Sequence, residues 1–496
     1  MQSLNTIAKG ASFVVIGMII SKLFGYGYRI LIARIGPEEY GMLSLALAVF
    51  GIITIIGLLG LNSGVAHFVA YYKSKEDLPK IKGTMIGSLK CSIIVSVFLG
   101  ILLYILADFI AVEFFNAPVV GIYLKILAFI VPLSSMRDIF LAALRSYSQS
   151  TIYDVTIKNI GENLLKFTAT FLLLYMAWGV LGAIWAIVLA FVLTWALSLY
   201  YWHKKMHLNN VYAIESKVDL LKYSLPLLFS TLIAQAIVWS DVLILGYFRP
   251  AYEVGIYNAA LPTATLMSII PGAVVALFIP IMTELSTLKK ESEFKQTYRT
   301  ATKWIFLCNF PLFLFLIMFA TPILSFLFGR EYAVGASSLI ILLVGYLLYQ
   351  LCNPAIETLS AIKKTNYVFV NTTIAAIIGI IINIMLIPRY GMLGGAIGTT
   401  VSLIIYGGLA VLELKFLMKI QPFSIHFLKI ILAGIISSGA IFLISGLWLI
   451  NLFVLGILAV IYILTYFIII LLLGVIDKDD KNIFKGLLCQ IKEKVN

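Results

Sequence analysis

Long apolar stretches follow one another along almost the whole of this 496-residue chain. A helix of about 20 apolar residues crosses the hydrocarbon core of a bilayer. Runs of this kind predict fourteen membrane spans, near residues 9–33, 42–68, 84–107, 122–145, 153–176, 180–202, 222–247, 255–282, 302–327, 336–361, 366–388, 392–414, 428–449 and 452–475. Hydrophobic residues make up 61% of the chain and charged residues only 12%, whereas soluble domains carry about 25% charge. The sequence therefore predicts an all-α integral membrane protein.

Positive charges are concentrated on alternate connectors between these spans. Together with their immediate flanks and the C-terminal tail, the connectors after spans 2, 4, 6, 8, 10 and 12 carry 25 of the 36 Lys and Arg residues. The opposite connectors carry only Arg34, Arg249, Arg330 and Arg389. Because Lys and Arg accumulate on the cytoplasmic side, this pattern predicts that both termini lie in the cytoplasm of a cell-membrane protein. The same pattern accounts for the net charge of +13, so no nucleic-acid partner is expected.

The chain also repeats itself. The stretch Gly-Pro-Glu-Glu-Tyr-Gly at 36–41 leads into span 2, and Arg-Pro-Ala-Tyr-Glu-Val-Gly at 249–255 leads into span 8, at an offset of 214 residues. The openings of spans 6 and 12 match at an offset of 212 residues. Two nearly equal offsets predict a duplicated six-helix lobe, and because six is even the two lobes are parallel. The predicted divisions are an N-terminal lobe at 1–215, a C-terminal lobe at 216–420, two additional spans at 421–475 and an amphipathic cytoplasmic tail at 476–496.

Seven further cations lie in the predicted spans or at their edges, and all belong to the N-terminal lobe: Lys9, Lys22, Arg29, Lys90, Lys125, Arg137 and Lys166. A charge deep in the bilayer costs roughly 2.5–3.5 kcal/mol on insertion scales. The deep cations face only Asp138 and Glu162, and a buried excess of positive charge is expected to bind an anion. Alternatively, pairs such as Lys166 with Glu162 hold helices together. That explanation does not extend to Lys22 and Arg29, because span 1 contains no acid.

Acidic side chains mark the C-terminal lobe instead. Asp241 lies in span 7 and Glu357 in span 10, without a clearly embedded Lys or Arg. An unpaired carboxylate inside a membrane is stable only when it is protonated or bound to an ion. These two residues, together with Asp138 and Glu162, are therefore predicted to bind a coupling H⁺ or Na⁺, and a protonated carboxyl group without a function is the alternative. Polar side chains predicted to face a substrate cavity between the two lobes, near the midplane of the membrane, are Gln235, Asn258, Gln350 and Asn353.

Span 8 contains three prolines, Pro262, Pro271 and Pro280. Proline removes backbone hydrogen bonds and permits bending, so this span is either a gating helix or a helix with fixed kinks. The four cysteines show no metal-binding spacing and the chain has no ATP-binding loop. Neither a resident cofactor nor an enzymatic activity is expected.

Residues 33–41, Ala-Arg-Ile-Gly-Pro-Glu-Glu-Tyr-Gly, the paired lobes, the Gly-x-Leu-Gly openings of spans 6 and 12 and the two additional spans resemble the Wzx-type polysaccharide flippases. These belong to the multidrug, oligosaccharidyl-lipid and polysaccharide (MOP) exporter superfamily. The resemblance implies a V-shaped pair of bundles that moves a polyprenyl-(pyro)phosphate-linked oligosaccharide to the outer leaflet by alternating access, with an ion gradient driving the return. Cations of the cavity would hold the phosphate groups, and the candidates are Lys22, Arg29, Lys90, Arg137 and Lys166.

The lipid II flippases of the same superfamily carry Ser-Arg-x-x-Gly-x-x-Arg-Asp in span 1. Residues 21–29 here read Ser-Lys-Leu-Phe-Gly-Tyr-Gly-Tyr-Arg, so the second arginine is displaced by one position and no aspartate follows it. This departure argues against a peptidoglycan precursor as the substrate. A drug exporter coupled to a cation gradient is disfavoured by the cationic first lobe, and a membrane glycosyltransferase is disfavoured by the short outer connectors.

The expected partners follow from this resemblance. They are a lipid-linked glycan, membrane lipids and glycan polymerase or transferase proteins, with the protein itself acting as a monomer.

Overall fold

The structure is a computed structural model that describes residues 2–148, 151–206, 211–214, 217–421, 425–445 and 451–475. This part of the chain consists of helices joined by short connectors, without a β-strand. The α-helices are α1 (Gln2–Ala33), α2 (Pro37–Leu58), α3 (Leu61–Lys73), α4 (Leu78–Phe109), α5 (Val119–Ala128), α6 (Val131–Ser148), α7 (Glu162–Tyr175), α8 (Gly179–Met206), α9 (Lys217–Phe248), α10 (Ala251–Thr265), α11 (Ile269–Thr287), α12 (Glu291–Met318), α13 (Ala320–Leu327), α14 (Ala336–Ala361), α15 (Thr365–Tyr390), α16 (Met392–Met418), α17 (Ile425–Ser445) and α18 (Leu452–Leu472). Two π-helical segments, Ile110–Phe114 and Asp154–Gly161, and two 3₁₀ segments, Leu266–Ser268 and Arg330–Gly335, lie between them.

Twelve helical stretches of the described residues are long and apolar enough to cross a membrane, and a bent pair formed by α5 and α6 makes a thirteenth if it is one span. Many large apolar side chains on these helices are exposed, such as Phe453 (77%) and Leu472 (79%) on α18. Outward-facing apolar side chains are typical of helices that contact lipid. The prediction of an all-helical, multi-pass membrane protein is therefore confirmed, whereas the number fourteen remains a prediction.

The helix over the fifth predicted span does not meet the same criterion of length and composition. It consists of the π-helical segment Asp154–Gly161 and α7, and it carries Asp154, Lys158, Glu162 and Lys166. A span with this many charges depends on partners inside the protein. The π-helical geometry, which often occurs at functional sites, ends at the residue before Glu162.

Two predicted spans are interrupted. The fourth bends by 44° between α5 and α6. The eighth is broken by the 3₁₀ segment Leu266–Ser268, with Pro262 inside α10 before the break and Pro271 in the first turn of α11 after it. Because proline cannot donate a backbone hydrogen bond, Pro262 weakens α10 before the break, whereas Pro271 is well tolerated in the first turn of α11.

Contacts divide the chain into two compact units. The first contains Met1–Thr263, Leu327–Ser338 and Thr372–Ser402. Its apolar core includes Leu61 and Val65 of α3 together with Met85 of α4, all fully buried. Among the described residues, all the predicted cationic site residues belong to this unit.

The second unit contains Ala264–Phe326, Leu339–Asn371 and Leu403–Asn496. Phe294 and Tyr298 of α12 pack with Leu359 of α14 in its core. These boundaries differ from those of the predicted lobes, which remain a prediction. The predicted amphipathic tail at 476–496 and the predicted lobe boundary at 215 lie outside the described residues.

Candidate substrate and ion sites

Lys22 and Arg29 lie seven residues apart on α1, a spacing that places them on the same side of the helix. Arg29 is partly buried, and its Nη1 group donates a 3.4 Å hydrogen bond to the hydroxyl of Tyr40 on α2. Lys22 is exposed, and the charge that acts on it among the described residues is the like charge of Arg29. Within the described residues, neither cation pairs with an acid. Two positive charges in the first span are thus left without a counter-charge.

In the described part of the chain, the polar groups around Arg29 are tyrosine hydroxyls and not carboxylates. The Tyr40 hydroxyl donates a 3.0 Å hydrogen bond to the backbone oxygen of Asn258 on α10. Tyr26, one helical turn before Arg29, shares a 2.8 Å hydrogen bond with Thr263 of α10. Neutral phenols orient a guanidinium group but do not cancel its charge. The arrangement therefore holds Arg29 in place and leaves it able to bind an anion.

The other deep cations of the first unit belong to an ion network. Buried Arg137 contacts Asp138, with Nη2 2.9 Å from Oδ1, and also pairs with Glu162 of α7. Lys166 Nζ lies 2.5 Å from Glu162 Oε1, and Lys158 Nζ lies 2.9 Å from Asp138 Oδ2. Three cations share two carboxylates, so the network keeps one net positive charge.

This network matches the pairing alternative for Arg137 and Lys166. An aromatic side chain that the sequence does not mark, Phe191 of α8, completes the network. Its ring centroid lies 4.6 Å from Arg137 Cζ and 5.1 Å from Lys166 Nζ, within the range of a cation–π interaction. No local pattern in span 6 distinguishes Phe191 from its apolar neighbours. The remaining cationic candidate, Lys90, is exposed on α4.

Asp241 is a buried carboxyl group on α9 that is held by neutral donors. It accepts hydrogen bonds from the hydroxyls of Tyr257 (2.5 Å) and Thr399 (3.0 Å) and from the backbone N–H of Val242 (2.7 Å). It is 1% exposed, and no cation of the described chain lies beside it. The sequence predicts Asp241 but neither hydroxyl partner, because Tyr257 and Thr399 lie on other helices.

A buried amide oxygen lies beside the backbone that carries Thr399. Asn383 of α15 has a buried Oδ1 without a hydrogen bond. This oxygen lies against Gly398, the residue before Thr399. Carboxylate, hydroxyl and amide oxygens are ligands for a hard cation, and a carboxylate can instead take up a proton. The geometry around Asp241 is thus compatible with either H⁺ or Na⁺.

The other polar candidates fall into both units. In the first unit, Asn258 is buried and its Nδ2 donates to the Val254 backbone oxygen at 3.1 Å, whereas Gln235 is partly buried. In the second unit, α14 carries three polar candidates. Gln350 is buried, and Asn353 and Glu357 are partly buried.

Solved structures with a similar fold are transporters. A structure of the lipid II flippase MurJ in an inward closed conformation matches with a TM-score of 0.76 at 19% identity, covering 92% of this chain and 97% of the other. An inward-facing multidrug resistance MATE family transporter of the MOP superfamily matches with a TM-score of 0.66 at 17% identity, covering 82% and 98%. The chain is a multi-pass membrane protein with the fold of this superfamily.

The sequence model of the family described as "Polysaccharide biosynthesis protein" matches residues 7–286, and the MatE model matches residues 226–385. The chain therefore belongs to the polysaccharide biosynthesis protein family. A Shigella flexneri protein named as an O-antigen transporter is 22% identical over 399 residues, 77% of this chain and 93% of its own length. A Haloferax volcanii protein named as a low-salt glycan biosynthesis flippase, Agl15, is 23% identical over 393 residues, 78% and 80% of the two chains.

Proposed function

We propose that this protein is a flippase, and not an enzyme, that moves a polyprenyl-(pyro)phosphate-linked oligosaccharide from the cytoplasmic to the outer leaflet of the cell membrane. The names of its relatives, O-antigen transporter and glycan biosynthesis flippase, support this class of substrate. The observation that carries the proposal is the pair of cations on α1, Lys22 and Arg29, which have no acidic partner among the described residues.

A phosphate or diphosphate group supplies the missing counter-charge. Arg29 can form paired hydrogen bonds to phosphate oxygens, and Lys22 can add a mobile ammonium group. Lys22 is exposed although it lies within an apolar span. Its charge therefore has to face water or a ligand and not lipid, because an ammonium group in hydrocarbon is unfavourable. Lys90 and the Arg137 network, with its net positive charge, also attract the phosphate groups.

Ion coupling is the second part of the proposal. Asp241, with Tyr257 and Thr399 as hydroxyl ligands, is the best candidate for binding H⁺ or Na⁺, since no cation of the described chain neutralises it. Glu357 on α14 is a further candidate, because no hydrogen bond or ion pair holds it within the described residues. Asp138 and Glu162, the other two residues predicted to bind the coupling ion, already pair with Arg137.

The proposal includes a membrane topology. The protein has fourteen spans, with both termini in the cytoplasm, and two parallel six-helix lobes that operate by alternating access. The protein acts as a monomer with glycan polymerase or transferase proteins as partners. Polar side chains, Gln235, Asn258, Gln350 and Asn353, contact sugar hydroxyls.

Purified protein in liposomes that hold a lipid-linked oligosaccharide in both leaflets tests the proposal. A membrane-impermeant glycosidase is added outside. We expect the protein to make the inner-leaflet glycan accessible, whereas protein-free vesicles keep it protected. If the glycan stays protected while the same vesicles transport a fluorescent organic cation, the protein is a drug exporter, the function that the MatE match would favour.

A further inference from the structure

The two halves of the repeat that precede spans 2 and 8 pack against each other. Gly41 of α2 lies against the backbone oxygen of Ala251, and Gly255 of α10 lies against the backbone oxygen of Pro37. Positions 37 and 251, like positions 41 and 255, are equivalent in the repeat at its offset of 214 residues. Each half of the repeat therefore contributes the same two positions to the contact, as the two subunits do in a two-fold interface.

The two helix backbones approach this closely because neither glycine has a Cβ atom. A Cβ at Gly41 would overlap the Ala251 oxygen and lie 2.9 Å from the Gly255 nitrogen. A Cβ at Gly255 would overlap the Pro37 oxygen and lie 3.0 Å from the Gly41 nitrogen. Backbone atoms cannot rotate away as the end of a side chain can. Any side chain at either position would therefore push the two helices apart.

The contact lies at the ends of α2 and α10 that the charge pattern predicts to face the outside. Hydrogen bonds also hold the connectors on that side of the protein. Arg34 Nε donates a 2.9 Å hydrogen bond to the Leu327 oxygen, and Arg249 Nη2 donates a 3.1 Å hydrogen bond to the Pro388 oxygen. All these residues belong to the first unit.

We infer that the contact between Gly41 and Gly255 is the outer seal of the transport path, closed in this structure and opened when the headgroup leaves. This inference rests on the proposed function. Tyr40, the residue before Gly41, connects the seal to the anion site, because its hydroxyl accepts from Arg29 and donates to the Asn258 oxygen across the α2–α10 contact. An anion that draws Arg29 away would weaken one end of this connection.

Thiol labelling tests the seal. All native cysteines are first replaced, and Ser44→Cys supplies a reporter. Ser44 is 8% exposed and lies one helical turn beyond Gly41 on α2. A membrane-impermeant maleimide is added to the outside of intact cells. Because the added methyl group overpacks the contact, we expect Gly41→Ala and Gly255→Ala to raise the labelling rate about tenfold or more.

The matched control is Gly439→Ala on α17, where an added Cβ meets no atom within 4 Å, and labelling should not change. Tyr40→Phe keeps the ring but removes the hydroxyl, so labelling should rise about two- to tenfold. This variant decides the question if the glycine variants do not accumulate. Unchanged labelling in well-folded variants, or labelling only after permeabilisation, would overturn the seal. Labelling requires no glycan, so faster labelling without glycan transport would refute the flippase and leave the seal intact.

Discussion

An arginine inside a membrane span needs a counter-charge, and Arg29 and Arg137 differ in how they obtain one. Arg137 is neutralised within the protein by Asp138 and Glu162. Arg29 has only tyrosine hydroxyls around it in the described structure. The same residue type is therefore paired with acids on α6 and has no acidic partner among the described residues on α1, which is why we propose Arg29 as the main ligand of an anion.

Substitution of Arg29 should weaken substrate binding. Hydrogen bonds to a charged group contribute about 1.5–3 kcal/mol, so Arg29→Ala should lower the affinity of purified protein for a polyprenyl diphosphate roughly tenfold to a hundredfold. Arg29→Lys should lose less, because the charge remains. The control is Lys364→Ala, which removes an exposed connector lysine. Equal affinities for Arg29→Ala and wild type would exclude Arg29 from the anion site.

Asp241 should determine the response to an ion gradient. Asn in place of Asp keeps the shape and one hydrogen-bond acceptor but can neither take up a proton nor attract Na⁺ strongly. We therefore expect Asp241→Asn to retain folding and to lose the stimulation of glycan transport by an imposed H⁺ or Na⁺ gradient. Transport by this variant that still follows the gradient would assign coupling to another group, with Glu357 tested next.

The sequence predicts where the helices lie along the chain better than it predicts where a span is bent or changes its helical type. The predicted spans at 336–361, 366–388 and 392–414 coincide within a few residues with α14, α15 and α16, because a continuous apolar run has only one way to cross a bilayer. The bend between α5 and α6 has one signal in the sequence, Pro132 in the first turn of α6, but neither its angle nor the π-helical start of span 5 can be derived from the apolar runs. They depend on how neighbouring helices pack.

Much of the site could not be predicted for the same reason. The charges of Lys22, Arg29 and Asp241 are visible in the sequence because they interrupt apolar runs. Their partners are not, since Tyr40 meets Asn258 over 218 positions and Asp241 meets Thr399 over 158 positions. Hydroxyl and aromatic groups are common in membrane spans, so only the fold shows which of them contact the charged site residues.

The ion network between α6 and α7 should stabilise the fold. Glu162→Gln removes the carboxylate that Arg137 and Lys166 share, and breaking a buried ion pair in this way costs about 3–5 kcal/mol. We expect a clearly lower melting temperature for the purified protein in detergent.

The matched control for this prediction is Asp154→Asn. It breaks the pair with Arg145, whose side chain is 42% exposed, so the loss should be about 1 kcal/mol or less. Equal melting temperatures for the two variants would mean that the Glu162 network does not stabilise the helix packing.

At the scale of the whole molecule, the distribution of Lys and Arg predicts the orientation in the membrane. In a protein free of other cysteines, Glu331→Cys on the predicted outer side should react with an impermeant maleimide in intact cells. Lys363→Cys on the predicted inner side should react only after permeabilisation. Both positions are exposed, so burial does not limit the reaction. The reverse pattern would invert the topology and the direction of transport.

In the proposed mechanism, the cations of α1 bind the headgroup as it crosses the membrane. The most direct measurement is the rate at which a lipid-linked oligosaccharide changes leaflet in liposomes containing the double variant Lys22→Ala/Arg29→Ala, compared with Lys22→Arg/Arg29→Lys. We predict that the alanine variant slows transport about a hundredfold or more at normal protein amount, and that the charge-conserving variant stays within about tenfold of wild type. Wild-type transport by the alanine variant would contradict the account.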